Sequence, residues 1–230
     1  MVSINENQVS TISDAVKQTK KMEHMADVIT HGVGVILSLA AFMYLIVSAS
    51  MTEDFVKIIS ISVYGISLIT AYFSSTIYHL YLYYHHEPHK KFKRLLLIFD
   101  HSCIFFLIAG TYTPILITFF NNTTGWILFS IIWLLAIAGI GYKIAFIGKY
   151  RHFSLGLYFT MGWNIVVSFW DMLRLFPLGL IYWLVAGGIF YTAGIIFFQY
   201  RKMPFNHAIW HIFVLIGSVL HFFGVVKYVL

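Results

Sequence analysis

The sequence predicts an all-α polytopic membrane protein, a seven-helix transmembrane bundle with its amino terminus in the cytoplasm and its carboxyl terminus outside. Three observations predict it. Hydrophobic residues make up 60% of the chain and charged residues 10%, whereas soluble domains carry about 25% charged residues. The apolar residues fall in seven continuous runs, each near the ~20 residues that cross a bilayer, and they lack the alternation of a transmembrane barrel. The basic residues collect in every second loop, which requires an odd number of crossings. An aromatic content of 19% fits Tyr and Trp belts at the membrane interfaces.

Residues 1–22 read as a polar cytoplasmic arm, either a loosely ordered tail or, from Ser13 to Met22, a short surface helix. Residues 23–230 form the membrane domain. The first run, 26–50, is long enough to span and so reads as a crossing, with no cleavable leader before it. Thr52, Glu53 and Asp54 make a polar turn, and the second run is 56–84. The basic loop from His85 to Arg94 contains Pro88, which breaks a helix. The third run is 95–120, closed by the turn-forming Asn121-Asn-Thr-Thr-Gly125. The fourth is 126–147, the fifth 152–173, the sixth 178–200 and the seventh 205–229. Gly148 to Arg151, Pro177, and Arg201 to Pro204 punctuate them.

Of the 15 Lys and Arg residues, only Lys57, Arg174 and Lys227 fall on one side of this arrangement. The richer side is cytoplasmic. The net charge of +6 is thereby explained by orientation, with no nucleic-acid partner implied and no soluble protein partner evident. The single cysteine, Cys103, excludes an intrachain disulfide and a cysteine-based metal site.

Ionisable groups inside a span are costly and usually face the bundle interior. His207 and His211 lie four residues apart, one turn on one helix face. That spacing suits two ligands to one metal ion, or two interfacial histidines. His79 stands near the end of the second span, with Ser75 one turn deeper. Ser75 reads as a donor towards the site or as a hydroxyl bonded back to its own helix. Asp100 is the costly group, either a span-end residue paired with Lys93 or Arg94, or a carboxylate serving a metal site. The topology puts His79, Asp100, His101, His207 and His211 in the cytoplasmic half. Three histidines leave a zinc ion an exchangeable fourth position, where a carboxylate can act as general base. At headgroup depth this suits hydrolysis of an amide or ester in a lipid.

Glu23 and His31 fall at the cytoplasmic end of the first span, as supporting or gating residues or as plain interface groups. His85, His86 and His89 make a histidine-rich loop that reads as solvated, and His221 is too deep to share the metal and reads as packed or hydrogen-bonded.

The phrases Ser74-Ser-Thr-Ile-Tyr-His79, Phe99-Asp-His-Ser102, Ala109-Gly-Thr-Tyr-Thr-Pro114 and His207-Ala-Ile-Trp-His211 resemble the progestin and adipoQ receptor family, and within it the bacterial hemolysin III branch. The resemblance runs from about Glu23 to the carboxyl terminus. It implies a seven-span bundle with the amino terminus inside, and adjacency of spans two, three and seven. It implies zinc on His79, His207 and His211, with Asp100 beside the water on the metal and Ser75 close by. It also implies a ceramidase-like hydrolase acting on lipid amides, a role in membrane lipid homeostasis, and a plasma-membrane location with membrane lipids as partners. The very short outer loops depart from the receptor members and speak against a protein hormone.

Other function classes make different demands. A secreted, pore-forming cytolysin needs a water-soluble state, for which seven apolar spans leave no room. A sensor or transporter with structural zinc binds metal without turnover. Bis-histidine haem would show a visible Soret band. A retinal protein needs a lysine in mid-span of the seventh helix, whereas Lys227 is at its end.

Overall fold

A computed structural model of the chain describes residues 6–85, 87–200 and 202–230. The first five residues of the arm, His86 of the histidine-rich loop and Arg201 of the basic set lie outside the described residues. Among the described residues the secondary structure is helical throughout, with no strand.

Helix α1 runs from Glu6 to Ser50, 45 residues without a break. The arm is therefore no loose tail from Glu6 onward; it is continuous with the first apolar run. No Gly or Pro precedes Gly32 in this helix, and extending a formed helix costs far less than starting one. Helix α2 (Phe55–Tyr84) starts at Asp54, whose Oδ1 accepts the backbone N–H groups of Val56 and Lys57 at 3.0 and 3.1 Å. Helix α3 (Lys90–Phe119) begins inside the basic loop, five residues before its apolar run. Helix α4 (Thr123–Phe146) is capped by Asn122, which accepts from Gly125 N–H at 2.9 Å.

The fifth apolar run does not form one helix. It divides into α5 (Arg151–Gly162), a 3₁₀ turn (Asn164–Ser168) and α6 (Phe169–Leu175). The 12 residues of α5 cover roughly 18 Å at 1.5 Å per residue, well short of a hydrocarbon core about 30 Å thick. The break is held by Tyr112 of α3, whose hydroxyl donates to Gly162 O at 2.9 Å and accepts from Ile165 N–H at 3.1 Å. These bonds replace ladder bonds that the break gives up. Helices α7 (Leu178–Gln199) and α8 (Asn206–Tyr228) complete the chain. Among the described residues six helices are thus long and apolar enough to cross a membrane.

Helix α3 is at the centre. Of its most apolar stretch 67% is buried, against 17–39% in the other five. Large apolar side chains such as Ile36, Met43, Leu134, Ile137 and Ile196 stand exposed on the outer faces, as a lipid-facing surface requires. Helices α1 and α2 approach closely where Gly34 meets the Tyr72 ring and Gly65 meets Phe42; a methyl group at either glycine would overlap that ring. The end of α2, the start of α3 and the start of α8 lie at the bundle end that carries Lys90 to Arg94, Lys149, Arg151 and Lys202. The middle of α1 packs against α2 and α8 there.

Candidate metal centre

The start of α8 is pinned from two sides. Phe205, in the left-handed region at φ 57°, donates its backbone N–H to Glu23 Oε1 of α1 at 3.2 Å. Asn206 donates from Nδ2 to Phe198 O at 3.2 Å, tying α8 to the end of α7. From the first two turns, His207 and His211 project from one face of α8, and His79 meets them from the last turns of α2.

One potential ligand atom from each of His79, His207 and His211 lies within 4.8 Å of the others. Ring centroids are 4.8 Å apart for His79 and His207, 5.2 Å for His79 and His211, and 4.5 Å for His207 and His211. His79 and His211 are buried and His207 is half-buried. The structure therefore brings together the three histidines singled out from the sequence.

It also brings in a carboxylate that the sequence reading overlooked. Asp27, on α1, is 3% exposed. Its Oδ2 is 3.0 Å from His79 Nδ1 and 3.7 Å from His24 Nδ1, and its Oδ1 is 3.9 Å from His211 Nδ1. His24 Nδ1 is also 3.4 Å from His79 Nδ1, so His24, Asp27 and His79 form a second group with metal-ligand spacing. Thr30 Oγ1 lies 3.1 Å from His211 Nδ1, and the His31 ring stacks on His211 with centroids 3.4 Å apart.

The other expected residues take varied positions. Asp100 is buried beside His101, with Oδ2 3.6 Å from His101 Nδ1; among the described residues it forms no ion pair with Lys93 or Arg94. Ser75 is buried and makes no hydrogen bond to its own helix. Asp100 and Ser75 line one cavity of about 320 Å³, together with His31, His207, His211 and the apolar side chains Ile104, Leu107 and Ile108. Lys143 of α4 is buried at its edge, 5.5 Å from the centre of the Tyr158 ring. A second, more open cavity of about 380 Å³ reaches His24, Asp27, His79 and His207. The His85 ring bonds to Tyr81 O of its own helix at 3.0 Å. His221 is held by Leu184 O at 3.1 Å from Nε2, as a hydrogen-bonded histidine.

Buried polar groups without partners are costly, about 1–3 kcal/mol each. Four such atoms lie together here: Asp27 Oδ1, His79 Nε2 and both ring nitrogens of His31 are buried without a hydrogen bond. Imidazole nitrogens and carboxylate oxygens are the donors that borderline divalent metals take. The cluster can hold a metal ion.

Asp27 left a signal in the sequence. Glu23, Asp27, Thr30 and His31 recur at four, three and one residues, the stripe of a single helix face. Sequence reasoning named Glu23 and His31 of this stripe and passed over Asp27 and Thr30 between them.

A bundle of long apolar helices, with lipid-facing outer surfaces and a buried histidine–carboxylate cluster at one end, defines a multi-pass membrane protein able to bind a metal within its helices. The particular family follows from comparison. The model of the haemolysin-III-related family matches residues 19–222, and the chain belongs to that family. It is 44% identical to Hemolysin-3 of Bacillus cereus over 208 residues, 90% of this chain and 92% of that protein. The Hemolysin-3 homolog of Bacillus subtilis (strain 168) is 41% identical over 206 residues, 90% and 94% of the two chains. A more distant relative, the monocyte to macrophage differentiation factor of Homo sapiens, is 27% identical over 208 residues, 90% of this chain and 84% of that protein. The branch resemblance carried by the four sequence phrases is borne out, and the chain is a multi-pass bacterial membrane protein.

Proposed function

We propose that the protein is a zinc-dependent hydrolase of amide or ester bonds in membrane lipids, acting in membrane lipid homeostasis. The observation that carries this reading is the opening of His207 and His211, two of the three clustered histidines, onto an apolar cavity that also holds Ser75 and Asp100. His79, His207 and His211 would hold the metal. When bound, zinc polarises a carbonyl and makes water more acidic.

The chain's own groups do the rest. Ile104, Leu107 and Ile108 take the acyl chain along the apolar wall. Asp100 accepts a proton from the attacking water as its oxygen bonds to the carbonyl carbon, and returns it to the leaving amine or alcohol oxygen as the old bond breaks. Ser75 donates a hydrogen bond to the oxygen on which charge develops. The positive-inside bias places this end of the bundle in the cytoplasm, with the broken segment 151–175 completing a seventh crossing and the carboxyl terminus outside.

Two relatives are named for hemolysis, and a lytic pore is the second reading. The exposed Ile36, Leu134 and Ile196 weigh against a water-soluble pore former. The test is to load detergent-purified protein with zinc, supply lipid amides and esters, and follow fatty-acid release by mass spectrometry. Metal-dependent release is expected. Zinc binding without release from any of them would support a sensor with structural zinc, and lytic activity in a soluble fraction would support the pore.

A further inference from the structure

The cluster contains one residue that touches two of its histidines from the same side, and its chemistry settles which ring nitrogens remain open. A carboxylate only accepts hydrogen bonds. Asp27 Oδ2, 3.0 Å from His79 Nδ1, therefore accepts a hydrogen bond from Nδ1–H and leaves Nε2 as the bare nitrogen. His79 Nε2 is the atom that is buried without a partner. At His211 the same side is occupied by Thr30 Oγ1 at 3.1 Å and Asp27 Oδ1 at 3.9 Å. The Thr30 hydroxyl has its own acceptors in Ala26 O and Asp27 O, at 2.9 and 3.0 Å. Its oxygen is thus the acceptor for His211 Nδ1–H, and His211 too keeps Nε2 bare.

Resting on the metal centre proposed above, we propose that Asp27 is a positioning residue. Its carboxylate fixes the tautomer and ring orientation of His79 through Nδ1; at His211 the Thr30 hydroxyl accepts from Nδ1–H, with Asp27 Oδ1 3.9 Å behind it, so that both Nε2 atoms are presented to the metal. Carboxylates behind metal-bound histidines commonly act this way. Here one turn of α1, with Asp27 and Thr30, serves two ligands from two other helices. Helix α1, which supplies none of the three histidines, thereby sets the geometry of two of them. The rival arrangement places a metal on His24, Asp27 and His79 directly; it consumes the Nδ1 lone pair of His79 and leaves its buried Nε2 unused.

Two measurements test the proposal. In metal-free, histidine-¹⁵N-labelled protein, NMR should show His79 and His211 as Nδ1–H tautomers; an Nε2–H tautomer at either overturns it. This measurement needs no variant, so it stands even where a change at Asp27 prevents folding. In the second, Asp27→Asn keeps the shape and loses one of the two acceptor oxygens. Its affinity for Co²⁺ should fall by about 10–100-fold, while saturating Co²⁺ still fills one site with the visible spectrum of wild type. Wild-type affinity in Asp27→Asn overturns the proposal alone. Two Co²⁺ ions in wild type and one in the variant also overturn it, by making Asp27 a ligand. Folded wild type that binds no Co²⁺ overturns the metal centre itself, and this inference with it.

Discussion

Helices α2 and α8 bury two polar layers against each other, two turns apart, and treat them in opposite ways. In the deeper layer Tyr72 OH donates to Ser218 Oγ at 2.6 Å, and Tyr191 OH of α7 meets the same oxygen at 2.8 Å. In the layer near the basic loops, His79 and His211 stand seven residues from Tyr72 and Ser218 on the same helices, and buried nitrogens and a carboxylate oxygen are left without partners. Burial is similar, and the helices are the same. The deep layer is closed on itself and joins three helices. The other leaves part of its hydrogen-bonding and ligating capacity open. Unsatisfied atoms that cluster mark a binding site, whereas buried polarity alone does not.

That contrast is sharpest when the open layer is emptied. His79→Ala, His207→Ala and His211→Ala should each abolish tight zinc binding, from about one ion per chain by elemental analysis, with helical circular dichroism retained. Retained zinc in any of them removes that histidine from the site. Asp100→Asn should keep the zinc and lose about 10²–10⁴-fold in fatty-acid release, and Ser75→Ala about 10²-fold or more. Loss of zinc in either would make that residue part of the metal's support. In the closed layer, Ser218→Ala should leave zinc binding unchanged and lower stability by about 1–3 kcal/mol, read as a lower melting temperature. A large loss of zinc there would mean that the two layers are one network. The smallest effect is expected for Glu23→Ala, which removes the acceptor for Phe205 N–H. Zinc affinity should fall by less than about tenfold, since the pin acts on the backbone before His207 and on no ligand directly.

Continuous apolar runs and loop charges made six long helices legible from the sequence, and the four-residue spacing made His207 and His211 legible as a pair. The meeting of α2 with α8 was not written in any local pattern; it rested on a resemblance, and the structure places His79 on that pair. Two features escaped for physical reasons. The break after Gly162 depends on Tyr112, fifty residues away, supplying the hydrogen bonds that the helix loses. The role of Asp27 depends on α1 lying along α2 and α8, so that a residue at the rim of an apolar run is carried inside the bundle.

The unbroken course of α1 has a mechanical consequence. Its 45 residues make a rod roughly 67 Å long, more than twice the ~30 Å of a hydrocarbon core. The carboxylates of Glu23 and Asp27 ride on that rod where it passes the start of α8. A hydrogen-bonded helix carries displacement along its axis without a hinge to absorb it. A pull or tilt applied to its projecting end is therefore delivered, as through a lever, to the backbone pin of α8 and to the histidines behind it.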